Sequence, residues 1–105
     1  MQNAMMALEQ NYMTIQNVVT MLPLNGNKSL RDSLNTQVVA ARRAYWSCVN
    51  KAFHDDDPRV VDLTAQLKQQ TQAINDAVKN LGDIANNLDQ ITTAAETAAK
   101  LAALV

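Results

Sequence analysis

The sequence predicts an all-helical protein, and three observations point that way. Its 105 residues include only two glycines, two prolines and four aromatic residues, a composition that suits helices and starves a sheet of β-formers. Apolar residues recur at spacings of three and four through three long segments, the period of one helix face. The segments are separated by P-L-N-G-N at 23–27 and by F-H-D-D-D-P-R at 53–59, where proline, glycine and capping residues gather.

The first helix is expected over about 3–22, where Met5, Leu8, Tyr12, Ile15, Val19 and Leu22 form one stripe. Five methionines, Met1, Met5, Met6, Met13 and Met21, fall in or beside it. They read as core filling in preference to an adaptable binding face. Pro23 and the Asn25-Gly26 pair then favour a tight reversal, so the first two helices are expected to form a hairpin.

The second helix is expected over about 28–54, with Leu30, Leu34, Val38, Ala41, Tyr45, Cys48 and Ala52 on its main face. Val39, Trp46, Val49 and Phe53 sit beside that seam and widen the apolar arc to roughly half the circumference. A helix of this kind packs on two sides, which makes it the expected central element. Arg42 lies inside the same arc. Its stem is expected to pack while the guanidinium pairs across the bundle or stacks on an aromatic ring.

The third segment, 58–105, carries the strongest pattern. Val60, Leu63, Leu67, Gln70, Ile74, Ala77, Leu81, Ile84, Leu88, Ile91, Ala95, Ala98, Ala102 and Val105 alternate spacings of three and four without a slip, as in one coiled-coil seam. A continuous helix of that length spans on the order of 70 Å. Gly82 is its weak point, with Asp83 available as a fresh cap. The preferred architecture is a single domain over 1–105: a hairpin followed by one long coiled-coil-like helix, three helices running up, down and up. The alternative is a four-helix bundle broken within 82–87. Continuity is preferred because a loop has no reason to preserve heptad register.

A long third helix outruns its intramolecular cover. Leu81, Ile84, Leu88, Ile91, Ala95, Ala98, Ala102 and Val105 are therefore the candidate self-association face, and a homo-oligomer or a helical protein partner is the expected associate. Arg42, Trp46 and Phe53 are candidates for contact with a partner, because exposed aromatic and arginine side chains dominate interface energetics. Burial of Trp46 and Phe53 against the first helix is the plainer reading.

His54 with Asp55, Asp56 and Asp57 supplies ligand types for a divalent ion. Adjacent residues diverge, however, and no second histidine exists to complete a shell. Capping explains more: Asp57 as N-cap, Pro58 in the first helical turn, and the pair as a hinge between the second and third helices. No metal and no cofactor are expected. Phosphate loops, serine elbows and Glu-x-x-His pairs do not occur, and Glu9 and Glu96 are the only glutamates, so no enzyme is expected.

A net charge of -1 with 18% charged residues offers no global field for nucleic acid or an anionic membrane. Cys48 is the only cysteine, so no disulfide framework is expected. With no secretory leader read at the start and no apolar run of about 18 residues, the expectation is a cytoplasmic protein, signal-less export remaining open. The function expected is a non-catalytic helical interaction module that self-associates through its third helix. The alternatives are a monomeric four-helix adaptor or regulator using the Trp46 and Phe53 face, and a small exported helical protein acting on a partner or membrane.

Overall fold

Residues 3–21, 28–49, 51, 56–79 and 82–104 are described by the structure, a computed structural model. Helices α1 (Asn3–Thr20), α2 (Lys28–Cys48), α3 (Pro58–Ala77), the short α4 (Gly82–Asn86) and α5 (Leu88–Ala102) make up nearly all of them. No strand occurs among the described residues. The all-α expectation therefore holds.

Each helix ends where local chemistry allows it. Asp57 has extended backbone (φ −69°, ψ 122°) and caps α3, its Oδ1 accepting from the Arg59 N–H at 2.9 Å, with Pro58 in the first turn. Proline there gives up an N–H that the helix leaves unpaired anyway. The Arg59 guanidinium closes back on the same carboxylate, Nη2 to Oδ2 at 2.8 Å. At the other end, α2 stops at Cys48, short of the expected 54, and unwinds through three-residue bonds from Val49 N to Trp46 O and from Lys51 N to Cys48 O.

The third helix is not continuous. It ends at Ala77; Val78 turns extended (φ −101°, ψ 93°) and still donates to Ile74 O. The Asp83 carboxylate accepts from the Lys79 N–H at 2.9 Å and so ties the two sides of the break together. Gly82 opens α4 rather than supplying a left-handed cap, since no described residue has a positive φ. The energetic reason for the break is the burial it permits further along the chain. Folding back buries Ile84, Ile91 and Leu101 completely, about 1.5–3 kcal/mol for each such side chain. The few backbone hydrogen bonds given up at the break are each worth only about 0.5–1.5 kcal/mol.

Two clusters stack along the core. One gathers Ala4, Ala7 and Leu8 with Ala44, Cys48, Val60, Leu67, Ala98 and Leu101. The other gathers Ile15, Val18, Leu34, Ala41, Ile74, Val78, Ile84, Ile91, Ala94 and Ala95. The beginnings of α1 and α3 thus share one end with the finishes of α2 and α5. It follows that α1 runs parallel to α3, and α2 parallel to α5. Helix α1 packs on α2 and α3, α5 packs on the same two, and α2 and α3 occupy opposite corners. The whole measures 44 × 23 × 19 Å.

Helix α2 is therefore not the central element. Its apolar arc is covered on the alanine flank, where Ala44 is buried and Ala40 packs near α5. Val39, Trp46 and Val49, on the other flank, remain exposed. The methionines also depart from the core reading: Met5 packs against the first cluster, whereas Met6, Met13 and Met21 are exposed. Helices α1 and α3 also carry buried polar side chains. Asn11, Thr64 and Thr71 are buried, and neither the Asn11 amide nor the two hydroxyls find a hydrogen-bond partner among the described residues.

Candidate functional site: the outer face of α2

Trp46 is the largest apolar side chain left outside the core, 61% exposed. Its position follows from the helix: it lies about 120–140° round from Leu34 and Ala41 at 100° per residue. Those two residues face the core. Val39 precedes it by two turns, and Arg42 and Val49 flank it at four and three residues. All four side chains are exposed on one outward stripe of α2.

The stripe rests on an aromatic support. The Tyr45 ring meets Trp46 in a tilted arrangement with centroids 5.9 Å apart, and stacks on Tyr12 of α1 at 6.2 Å and 23°. Such pairs are worth about 0.5–1.5 kcal/mol beyond their buried area. The Tyr45 hydroxyl donates to Glu9 Oε2 at 3.1 Å. This bond, partial desolvation and the negative charge of Glu9 together push the phenol above its ordinary value of 10.0. A phenol raised in the folded state contributes stability that is complete below pH 10 and lost as pH climbs through the raised value. In a Tyr12→Phe background, absorbance titration is expected to place the Tyr45 midpoint above 10, and Glu9→Gln to bring it back down. An unchanged midpoint in the Glu9→Gln variant would show that the bond does not form.

Charge is concentrated beside the aromatic stripe. Of nine Lys and Arg residues, five lie in the segment from Lys28 to Lys51: Lys28, Arg31, Arg42, Arg43 and Lys51. Asp32 is that segment's single carboxylate. Arg42 and Arg43 are exposed, and neither forms an ion pair with any described residue. The cross-bundle pairing expected for Arg42 is thus not made there, because its side chain projects outward from the uncovered flank of α2.

The seam assigned to self-association lies elsewhere and faces inward. Ile84, Ile91, Ala95 and Ala98 are buried within the single chain, while Leu88 and Ala102 are half-buried and pack against the two clusters. The break after Ala77 supplies the intramolecular cover that an unbroken helix would lack. Phe53, Leu81 and Val105 lie outside the described residues, as do His54 and Asp55 of the acidic run. Among the described residues, no three His, Cys, Asp or Glu side chains come together as a metal-holding group, and no helix is long and apolar enough to cross a membrane.

No protein-family model, curated protein or solved structure matches this chain.

Two further surface features are not legible from spacing alone. Between α2 and α5, Ala40, Arg43, Ala44, Ser47, Ala99, Ala102 and Ala103 line a shallow groove of about 450 Å³. Alanine on both helices permits that close approach, and the buried Cys48 thiol reaches the Ala102 carbonyl at 3.9 Å. Between α1 and α3, Thr14, Asn17, Lys68, Thr71 and Asn75 line a polar groove of about 390 Å³. Polar residues at inward helix positions are the signal for it.

Proposed function

We propose that this protein is a non-catalytic helical interaction module, in which the core holds α2 in place and the outer face of α2 engages a protein partner. The observation that carries this reading is Trp46, exposed on a rigid helix and braced by Tyr45 and Tyr12. An aromatic anchor pre-positioned in this way loses little conformational freedom on binding, which favours affinity. The arginines beside it give the partner a chemical character: an amphipathic helix with an apolar seam for Val39, Trp46 and Val49, and carboxylates for Arg42 and Arg43. The chain thereby acts as an adaptor, its apolar seams covered within the single chain and its recognition carried by one face.

The test is capture of partners from native extract, followed by binding of the purified pair. Trp46→Ala combined with Arg42→Ala is expected to weaken binding by about thirtyfold or more, the loss of a central hot spot. Thermal stability is expected to stay within about 0.5 kcal/mol of the parent, as for other exposed positions. A partner whose affinity is untouched by both substitutions would overturn this assignment of the face.

A further inference from the structure

The closed structure leaves one property of the sequence unused. The heptad series runs from Val60 to beyond Ala98 without a slip, yet α3 and α5 are separate helices folded against each other. A hairpin needs two amphipathic helices; it does not need them to share one register across the turn. A continuous helix does.

Among the described residues from 58 to 102, only Val78, Lys79 and Asn87 are not helical. No proline follows Pro58, and no described residue has a positive φ, so none of the described residues of the link holds a conformation that only glycine could adopt. Asn87 (φ −117°, ψ 14°) is off helical values, but its carbonyl already accepts a helical bond from Ile91 N at 3.1 Å. Asp83 ties the turn through its carboxylate, which accepts from the Lys79 N–H at 2.9 Å, and its carbonyl accepts from Asn87 Nδ2 at 2.7 Å at the junction of α4 and α5.

The two halves are also self-complementary. Leu67 and Ala98 belong to one core cluster, Ile74 and Ile91 to the other, and each pair is equidistant from the link between Gly82 and Asp83. A second copy with the same helix, running antiparallel about that point, sets Leu67 against Ala98 and Ile74 against Ile91 between chains, the pairs that already share a cluster within one chain.

From this register, hinge and symmetry we infer that two copies of the chain exchange α5. In the exchanged dimer α3, α4 and α5 straighten into one helix of about 70 Å at 1.5 Å per residue. Each copy's α5 then occupies the place between α2 and α3 of the other. The cluster contacts of both cores are regenerated between chains, which is the condition under which exchange of an identical element is a low-cost route to a dimer. The inference is independent of the Trp46 face, which lies on α2 and stays outward in either state.

The structure supplies its own trap. Cys48 of α2 lies against Ala102 of α5, so Ala102→Cys places a second thiol beside it. The resulting disulfide lies within one chain in the closed form and between chains in the exchanged form. A side-by-side dimer of closed chains would keep it within each chain. The experiment refolds Ala102→Cys at low micromolar and at millimolar concentration, with and without Gly82→Ala and Asp83→Ala, and reads non-reducing electrophoresis and light scattering. Expected are chain-mass species with an internal link when dilute, and linked dimers when concentrated. The hinge substitutions are expected to raise the association constant by roughly tenfold or more, since a glycine inside a helix and a locked turn both oppose straightening. Chain mass alone at millimolar concentration, in the hinge variants or, should those fail to fold, in the unaltered hinge, overturns the inference. A dimer whose disulfides all remain internal overturns it equally.

Discussion

Alanine in place of Ile91 is expected to lower the stability of the fold by about 2–5 kcal/mol, the usual cost of deleting a fully buried branched side chain. Ile91 is completely buried in the cluster that joins α1, α2, α3 and α5, so no solvent can fill the space it leaves without meeting apolar walls. Domains of this size have only about 5–15 kcal/mol in total. The substitution therefore removes a large share, readable as a fall in the urea midpoint with an unchanged slope. At micromolar concentration that midpoint is expected to be independent of dilution. A midpoint that falls on dilution would return Ile91 to an interface between chains, and a loss under about 1 kcal/mol would mean that α5 does not pack as described. Val39→Ala serves as the control, because Val39 is exposed and exposed changes typically stay within about 0.5 kcal/mol.

Replacing Asn11 by leucine is expected to act in the opposite direction. Asn11 is 0% exposed, and neither its amide nitrogen nor its amide oxygen has a hydrogen-bond partner among the described residues. A buried polar group in that position costs about 1–3 kcal/mol. Leucine has nearly the same shape and no polar group to desolvate, so a gain of about 2 kcal/mol, on the order of 10 °C in Tm, is expected. Calorimetry of the Asn11→Leu chain measures it. A fall in Tm instead would show that Asn11 is hydrated or bonded in solution, and that its amide supports the α1 and α3 interface. The adjacent Thr14 and Thr71, which line the polar groove of the same interface, make Thr71→Val the companion experiment.

Much of this architecture is legible in the residues. The helical segments and the Asp57 and Pro58 boundary follow from period and capping chemistry, and the inward faces follow in part: Leu8, Ile15, Val60, Leu67 and Ile74 are buried, whereas Met5, Tyr12, Val19, Leu63, Gln70 and Ala77 are half-buried beside the buried Ala4, Asn11, Val18, Thr64, Thr71 and Val78. The break after Ala77 is legible only as the alternative placed within 82–87, because neither Val78 nor Lys79 is a turn former and Gly82 lies beyond them at the start of α4. What ends α3 is a non-local gain, the burial of Ile84, Ile91 and Leu101 against helices far away in sequence. Local rules carry no record of that. The exposure of Trp46 is hidden for a related reason. A half-circumference apolar arc on α2 says that one flank is covered, but not which. The small residues Ala40 and Ala44 decide it by admitting α5 closely, which leaves the larger side chains outside. Asn11 stands three residues after Leu8 and four before Ile15, an inward position by spacing, and only its polarity keeps it out of the apolar stripe.

The parallel pairing of α1 with α3 and of α2 with α5 has a mechanical consequence. Ala4 near the start of α1 and Leu101 near the finish of α5 belong to the same cluster, so the two outer helix ends emerge from one end of the molecule. A load applied between them peels α1 and α5 away turn by turn instead of shearing whole helix faces at once. The molecule can thus resist heat through its full core and yet yield readily to a pull, an asymmetry set by topology and indifferent to the chemistry of any single side chain.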